Sequence, residues 1–206
     1  MARCRFGAPL ALPWLVGGWS SHFEFVQDRM RIRTDFVSRP PRITEAELAG
    51  MWTSAARTGS AVVDLVPLAR IKLTNREKDY AVVGDLARLM PDPADQLRFS
   101  RSARDLIELA RARPDLLAAV VGERPALAAV ARGRAVLEEA LDRERRALMR
   151  ANEERLQRYQ QAAAAWAAAW IDVAREVEGW PLRSAHEHIV RRATALLPTA
   201  AAERSE

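Results

Sequence analysis

The sequence predicts an α+β fold: a small sheet with flanking helices, followed by a long and mostly helical C-terminal half. Three observations carry that expectation. Residues 22–38 alternate apolar and polar side chains in two short runs separated by Asp28-Arg29, the pattern of a hairpin. Proline-bearing breaks at Pro91-Asp92-Pro93 and Pro114 separate segments of helical period. From Ala126 to Glu178 apolar residues recur mostly every three or four positions, so that stretch reads as one long arm or as two helices.

Taken in order, residues 1–16 are poorly patterned, and Gly17-Gly18 marks a turn. In the second strand Met30, Ile32, Thr34 and Phe36 share a face that a sheet would bury, opposite Arg31, Arg33 and Asp35. Pro40 and Pro41 end that strand. Thr44 caps a helix that runs to about Arg57, with Leu48, Met51 and Trp52 as its core side and Gly59 as its stop. The β-branched run Val62 to Val66 reads as a strand halted by Pro67. A turn or two of helix then carries Lys72. Thr74-Asn75-Arg76-Glu77 has capping-box spacing, so a new helix is expected from about Asn75, burying Val82, Val83, Leu86 and Leu89. A helix follows from about Ala94 to Arg113, then a short one ending at Gly122, the long stretch to Glu178, and a final helix over 182–197. The tail after Pro198 is expected to fray. The organisation expected is a poorly patterned start (1–16), an α+β domain (17–113) and a helical region (114–206) with its arm over 126–178.

Composition narrows the function. The 206 residues are 49% apolar, which excludes a disordered chain, and much of that fraction is helix-favouring alanine. The net charge of +5, from 32 basic and 27 acidic residues, is a modest excess that lends nucleic-acid binding only weak support. Cys4 is the single cysteine, which excludes an intramolecular disulfide or a cysteine-rich metal site and suits a reducing cytoplasm. Pro9 and Pro13 interrupt the first apolar run and argue against a signal peptide. Runs of about 18 apolar residues are absent, so no spanning helix is expected. His186 and His188, two apart on a helix, face different sides and do not suit a shared metal. Trp166 and Trp170, one turn apart, read as core or as a partner contact.

The basic residues hold the sharper signal. All are arginine except Lys72 and Lys78, which share a seven-residue window beside Asp79. Lysine is a compact, flexible point charge suited to a phosphate, where arginine is a planar fork. The segment Leu68-Ala69-Arg70-Ile71-Lys72-Leu73-Thr74-Asn75-Arg76-Glu77-Lys78-Asp79-Tyr80 resembles the "Leu-x-x-x-Lys … Arg-x-Lys-Asp" segment of nucleotidyltransferase-fold proteins, including those of bacterial toxin–antitoxin and abortive-infection systems. The resemblance covers roughly residues 22–90 and implies a partial nucleotidyltransferase-like sheet. It puts Asp35 at the third carboxylate of a metal site, with Mg²⁺ as cofactor and a nucleoside triphosphate as ligand. It puts Lys72 at the phosphates, Asp79 in an orienting role, and Arg76 and Lys78 as added charge. The family's Gly-Ser turn followed by Asp-x-Asp is missing, because Asp28-Arg29-Met30 and Asp35-Phe36-Val37 each lack a second acid. The implied protein is therefore catalytically degenerate or N-terminally truncated, its ancestral activity being nucleotidyl transfer to a polar acceptor. The competing expectation is a non-enzymatic helical protein that associates with itself or a partner through residues 126–178. Neither reading calls for a membrane.

Overall fold

A computed structural model describes residues 8–38, 40, 42–60, 62–74 and 76–201, and for residues 23–27 the backbone alone. The architecture is α+β, a small antiparallel hairpin in an otherwise helical chain. It divides into two compact units, Met1–Pro40 with Arg155–Glu206, and Pro41–Glu154. The second is contiguous; the first joins the two ends of the chain.

The first unit begins with a short helix, α1 (Leu12–Val16), which Pro13 can open because the first-turn N–H groups have no helical partner anyway. Strands β1 (Ser21–Gln27) and β2 (Met30–Phe36) follow, with Gln27 opposite Met30 and Ser21 opposite Phe36. Asp28 and Arg29, at φ 50° and 65°, form the two-residue left-handed turn whose twist matches that of paired strands. The expected hairpin is there, but the expected burial of its Met30 face is not. Met30 is 63% exposed and the other described β2 side chains are exposed or half-buried, so among the described residues no layer covers that face.

The core of this unit comes from α1, α9 (Ala164–Glu176) and α10 (Leu182–Leu196), through Trp14, Trp166, Val173, Ile189 and Ala193. Trp14 Nε1 donates to the Leu197 carbonyl at 3.2 Å, tying the two chain ends together. Trp166 is core as expected, with the Trp170 ring 5.6 Å away. Trp19 meets the Tyr159 ring edge-on at 4.9 Å. Beyond Pro198 the chain is exposed at 198–200, but its backbone runs close against Gly17, where a Cβ would lie 1.7 Å from the Thr199 carbonyl oxygen.

The second unit is helical. Helix α2 (Glu45–Thr58) carries a complete capping box between Thr44 and Glu47 and closes on left-handed Gly59. Leu48 and Met51 are half-buried, whereas Trp52, expected in the core, is 69% exposed. Three further expectations are overturned. Residues 62–66 form no strand: Val62 is exposed in a loop, and Leu65 opens helix α3 (Leu65–Lys72), whose first turn accommodates Pro67. Helix α4 (Glu77–Leu89) buries Asp79, Val83, Gly84 and Ala87, while Val82 and Leu89 face outward; a spacing of four, not the apolar residue types, defines its inner stripe. The helix expected over 94–113 is two, α5 (Pro93–Phe99) and α6 (Ala103–Ala112), because Ser102 accepts from the Asp105 N–H and caps a fresh start.

Helix α7 (Pro114–Val120) leads to a 3₁₀ helix (Pro125–Arg132), and Gly133 at φ 95° separates that from the 29-residue α8 (Arg134–Ala162). The long stretch is thus not one arm from Ala126. It is a 3₁₀ segment, a break, and two helices with a hitch at Ala163. Leu127, Leu137 and Leu141 sit in a core with Leu97 and Leu106, so the start of the supposed arm is interior.

Two glycines give opposite tests. Gly17→Ala drives a methyl into backbone and should cost on the order of 1–3 kcal/mol. Gly50, mid-α2 with open space around it, should gain about 0.5–1 kcal/mol on conversion to alanine. Urea denaturation of both variants checks the contrast.

Candidate functional site

The lysine-bearing segment forms the corner between α3 and α4. The C-terminus of α3 is held by side chains from outside it. Arg42 donates from Nε to the Arg70 carbonyl at 3.0 Å and from Nη2 to the Ile71 carbonyl at 3.1 Å, a cation placed where the helix dipole is negative. Its Nη1 also donates to Asn152 Oδ1 at 2.6 Å, and Asn152 Nδ2 donates to the Leu73 carbonyl at 3.2 Å. Lys72, half-buried, leaves the corner from this clamped end.

The far side of the corner is organised by Asp79. Its carboxylate, 4% exposed, accepts from the Thr74 hydroxyl at 2.5 Å and from Arg76 Nε at 2.6 Å. Burial pushes the Asp79 pKa up, but the bonds from Thr74 and Arg76 and the charges of Arg76 and Lys72 outweigh it, so the group titrates below the ordinary aspartate range. The capping box expected at Thr74 does not form. The Thr74 hydroxyl is spent on Asp79 and accepts from the Arg76 N–H, and α4 opens at Glu77 with no side-chain cap. Glu77 accepts from Arg145 Nη1 at 2.8 Å instead. Asn75 lies outside the described residues.

Lys72, Arg76, Lys78 and Asp79 therefore meet at one corner. The two acids there each have an arginine, and among the described residues neither lysine makes an ion pair. The corner carries a basic excess beside the uncapped N-terminus of a 13-residue helix, an arrangement that attracts anions. Asp79 is committed inward and pins the loop.

Asp35 belongs to the other unit. It lies on β2, 59% exposed, with Arg33 Nη2 at 3.1 Å. His22 is its cross-strand partner, and its strand supplies no second acid. A single carboxylate beside a guanidinium is an ion pair and not the donor set of a Mg²⁺ site. Among the described residues no three His, Cys, Asp or Glu groups cluster as metal ligands. His188 Nε2 pairs with Glu176 at 2.6 Å and is half-buried.

A second polar cluster was not anticipated. Glu144 receives Nε and Nη2 of Arg124 at 2.9 and 2.7 Å and Nη1 of Arg101 at 2.7 Å. Arg124, 6% exposed, also donates to the Leu97 and Ser100 carbonyls, and the Arg101 guanidinium lies 5.0 Å from the Tyr80 ring centre. Burial opposes ionisation of Glu144, but the hydrogen bonds and charge of Arg124, then of Arg101, prevail and hold its pKa below the ordinary glutamate range. Burial and the charge of Arg124 lower that of Arg101. The sequence signal was faint: three charges 20 to 43 residues apart within helical-period text. A separate cavity of about 220 Å³ between α2 and α3 is lined by Ile43, Met51, Val66 and Arg70, and neither Lys72 nor Asp79 borders it.

No family model, curated protein or solved structure matches the chain. The fold defines an α+β protein, largely helical, with two lysines at the junction of α3 and α4. No described helix is long and apolar enough to cross a membrane.

Because the Glu144 pKa is lower folded than unfolded, its stabilisation is complete above the ordinary glutamate range of about 4.3 and is lost as pH falls through the depressed value. Glu144→Gln leaves two enclosed guanidinium groups without a counter-charge. It should cost about 3 kcal/mol near neutrality and flatten the acid limb of a stability–pH profile measured by urea unfolding.

Proposed function

We propose that this chain is a nucleotidyltransferase-like protein without transferase activity, which binds the phosphates of a nucleoside triphosphate at the α3–α4 corner. The observation that carries the reading is the placement of the chain's only two lysines at that corner, where Glu77 and Asp79 are already matched by Arg145 and Arg76. The uncapped start of α4 adds backbone N–H donors to the lysine ammonium groups and the Arg76 guanidinium. Mg²⁺ arrives with the triphosphate, as it does where few protein carboxylates contribute. The absence of Asp-x-Asp, and an exposed Asp35 with no second acid on its strand, favour binding over nucleotidyl transfer to a polar acceptor. The single cysteine fits a cytoplasmic setting.

A non-enzymatic interaction protein is the second reading, favoured by the outward apolar residues Leu156 (48% exposed) and Ile171 (67%) on α8 and α9. Removing residues 126–178 would not test it, since Leu127, Leu137, Trp166 and Val173 are core. Leu156→Glu with Ile171→Glu leaves those cores intact.

Titration calorimetry with Mg²⁺–ATP should show binding that weakens at least tenfold in Lys72→Ala and again in Lys78→Ala, with unfolding midpoints unchanged. Equal affinity in wild type and both variants would reject the corner as the site. Loss of a partner or of self-association in the Leu156→Glu/Ile171→Glu variant alone would favour the second reading.

A further inference from the structure

Among the described residues the outer edge of β2 meets no further strand. A two-residue turn makes Gln27 and Met30 a hydrogen-bonded pair, so Met30, Ile32, Thr34 and Phe36 direct their amide groups toward β1. The intervening Arg31, Arg33 and Asp35 direct theirs the other way. Among the described residues none supplies a backbone partner to Arg33 or Asp35 on that side. A lone two-stranded hairpin is marginal in water, and a flat open edge bearing Ile32, Phe36 and Val37 is a template for a further strand. Phe36 is 39% exposed and Val37 47%.

The charges on that edge identify the strand that fits. Let β2 pair antiparallel with a second β2 across a two-fold axis, with outward residues facing outward residues. Centred on Thr34, the register sets Arg33 opposite the copy's Asp35 twice, Ile32 opposite Phe36 twice, and Arg31 opposite Val37. Centred on Ile32, it sets Arg31 against Arg33. Centred on Arg33, it sets arginine against arginine at the axis, and centred on Asp35 it sets carboxylate against carboxylate. Opposite charges directly across an antiparallel pair stabilise and like charges destabilise, and of these registers only the Thr34-centred one pairs opposite charges without setting like charges face to face. The Arg33–Asp35 contact within one strand, both side chains more than half exposed, contributes little and can be exchanged for contacts across the axis.

We propose that two copies of this chain associate through their β2 edges about Thr34, forming a four-stranded antiparallel sheet in the order β1-β2-β2-β1. The interface is isologous, so it closes at two copies. It is independent of the nucleotide-binding reading and involves none of the residues at the α3–α4 corner.

Sedimentation velocity over a concentration series should show the full chain passing from monomer to dimer. Arg33→Asp and Asp35→Arg should each raise the dissociation constant at least tenfold, and the double exchange should restore it. Asp35→Pro, which removes an outward N–H while keeping the hairpin, should also abolish the dimer. In a Cys4→Ser background, Thr34→Cys should form an interchain disulfide on mild oxidation, because facing residues of a non-hydrogen-bonded pair have Cα atoms about 4.5 Å apart. A chain that stays monomeric and does not cross-link overturns the proposal. So does a dimer indifferent to the single charge reversals, or one that the double exchange fails to recover.

Discussion

The second unit depends on one carboxylate held between two guanidinium groups. Glu144 on α8 draws in Arg124 from the entry to the 3₁₀ helix and Arg101 from the link between α5 and α6. Arg124 passes the constraint on to the Leu97 and Ser100 carbonyls that the helix break exposes. Without that guanidinium, the break would leave two buried acceptors unsatisfied, a cost of about 1–3 kcal/mol each. The cluster gives a helical core what apolar packing gives poorly, a single register between elements whose contacts are otherwise aliphatic. Its net charge of one excess cation is tolerated because Arg101 lies over the Tyr80 ring, whose face is electron-rich.

The α3–α4 corner follows the same logic with a different outcome. There too an arginine answers a buried acid, but the pair lies at the surface, with Arg76 more than half exposed while Asp79 is enclosed. Asp79 is thereby consumed in shaping the loop, and the lysines are what the corner presents. Arg42 and Asn152 close the C-terminus of α3 from outside, so the corner is braced at both helix ends before any ligand arrives. A braced basic corner loses little conformational entropy on taking up an anion.

Much of the architecture was legible because short-range rules govern it. Alternation and Asp28-Arg29 located the hairpin, Thr44 and Gly59 bounded α2, and Pro91-Asp92-Pro93 separated α4 from α5. The misreadings share a cause, which is that local signals were outweighed by tertiary partners. Val62 to Val66 has strand composition, but among the described residues no strand lies beside it, and its second half joined a helix that tolerates Pro67 in its first turn. Thr74 had capping spacing, yet a buried carboxylate was the stronger acceptor. Trp52 and Leu89 looked like core from type alone, and their places on the helix circumference turned them outward. At the candidate site, the convergence of Lys72, Arg76 and Lys78 was legible from spacing, whereas the clamp by Arg42 and Asn152, 110 residues apart, was not. Asp35 belongs to a different unit from those cations, a division that local spacing could not reveal.

The discontinuous unit sets an order on biosynthesis. Trp14 stays without its Leu197 acceptor until 183 further residues have been made, while residues 41–154 form a continuous block complete well before then. On the ribosome the inner block can acquire its structure first, leaving α1 and the hairpin waiting as nascent, uncovered segments. The interval during which Trp14 and Trp19 are solvent-accessible is fixed by translation speed, which makes chaperone capture of the emerging N-terminal stretch a matter of timing as much as of sequence.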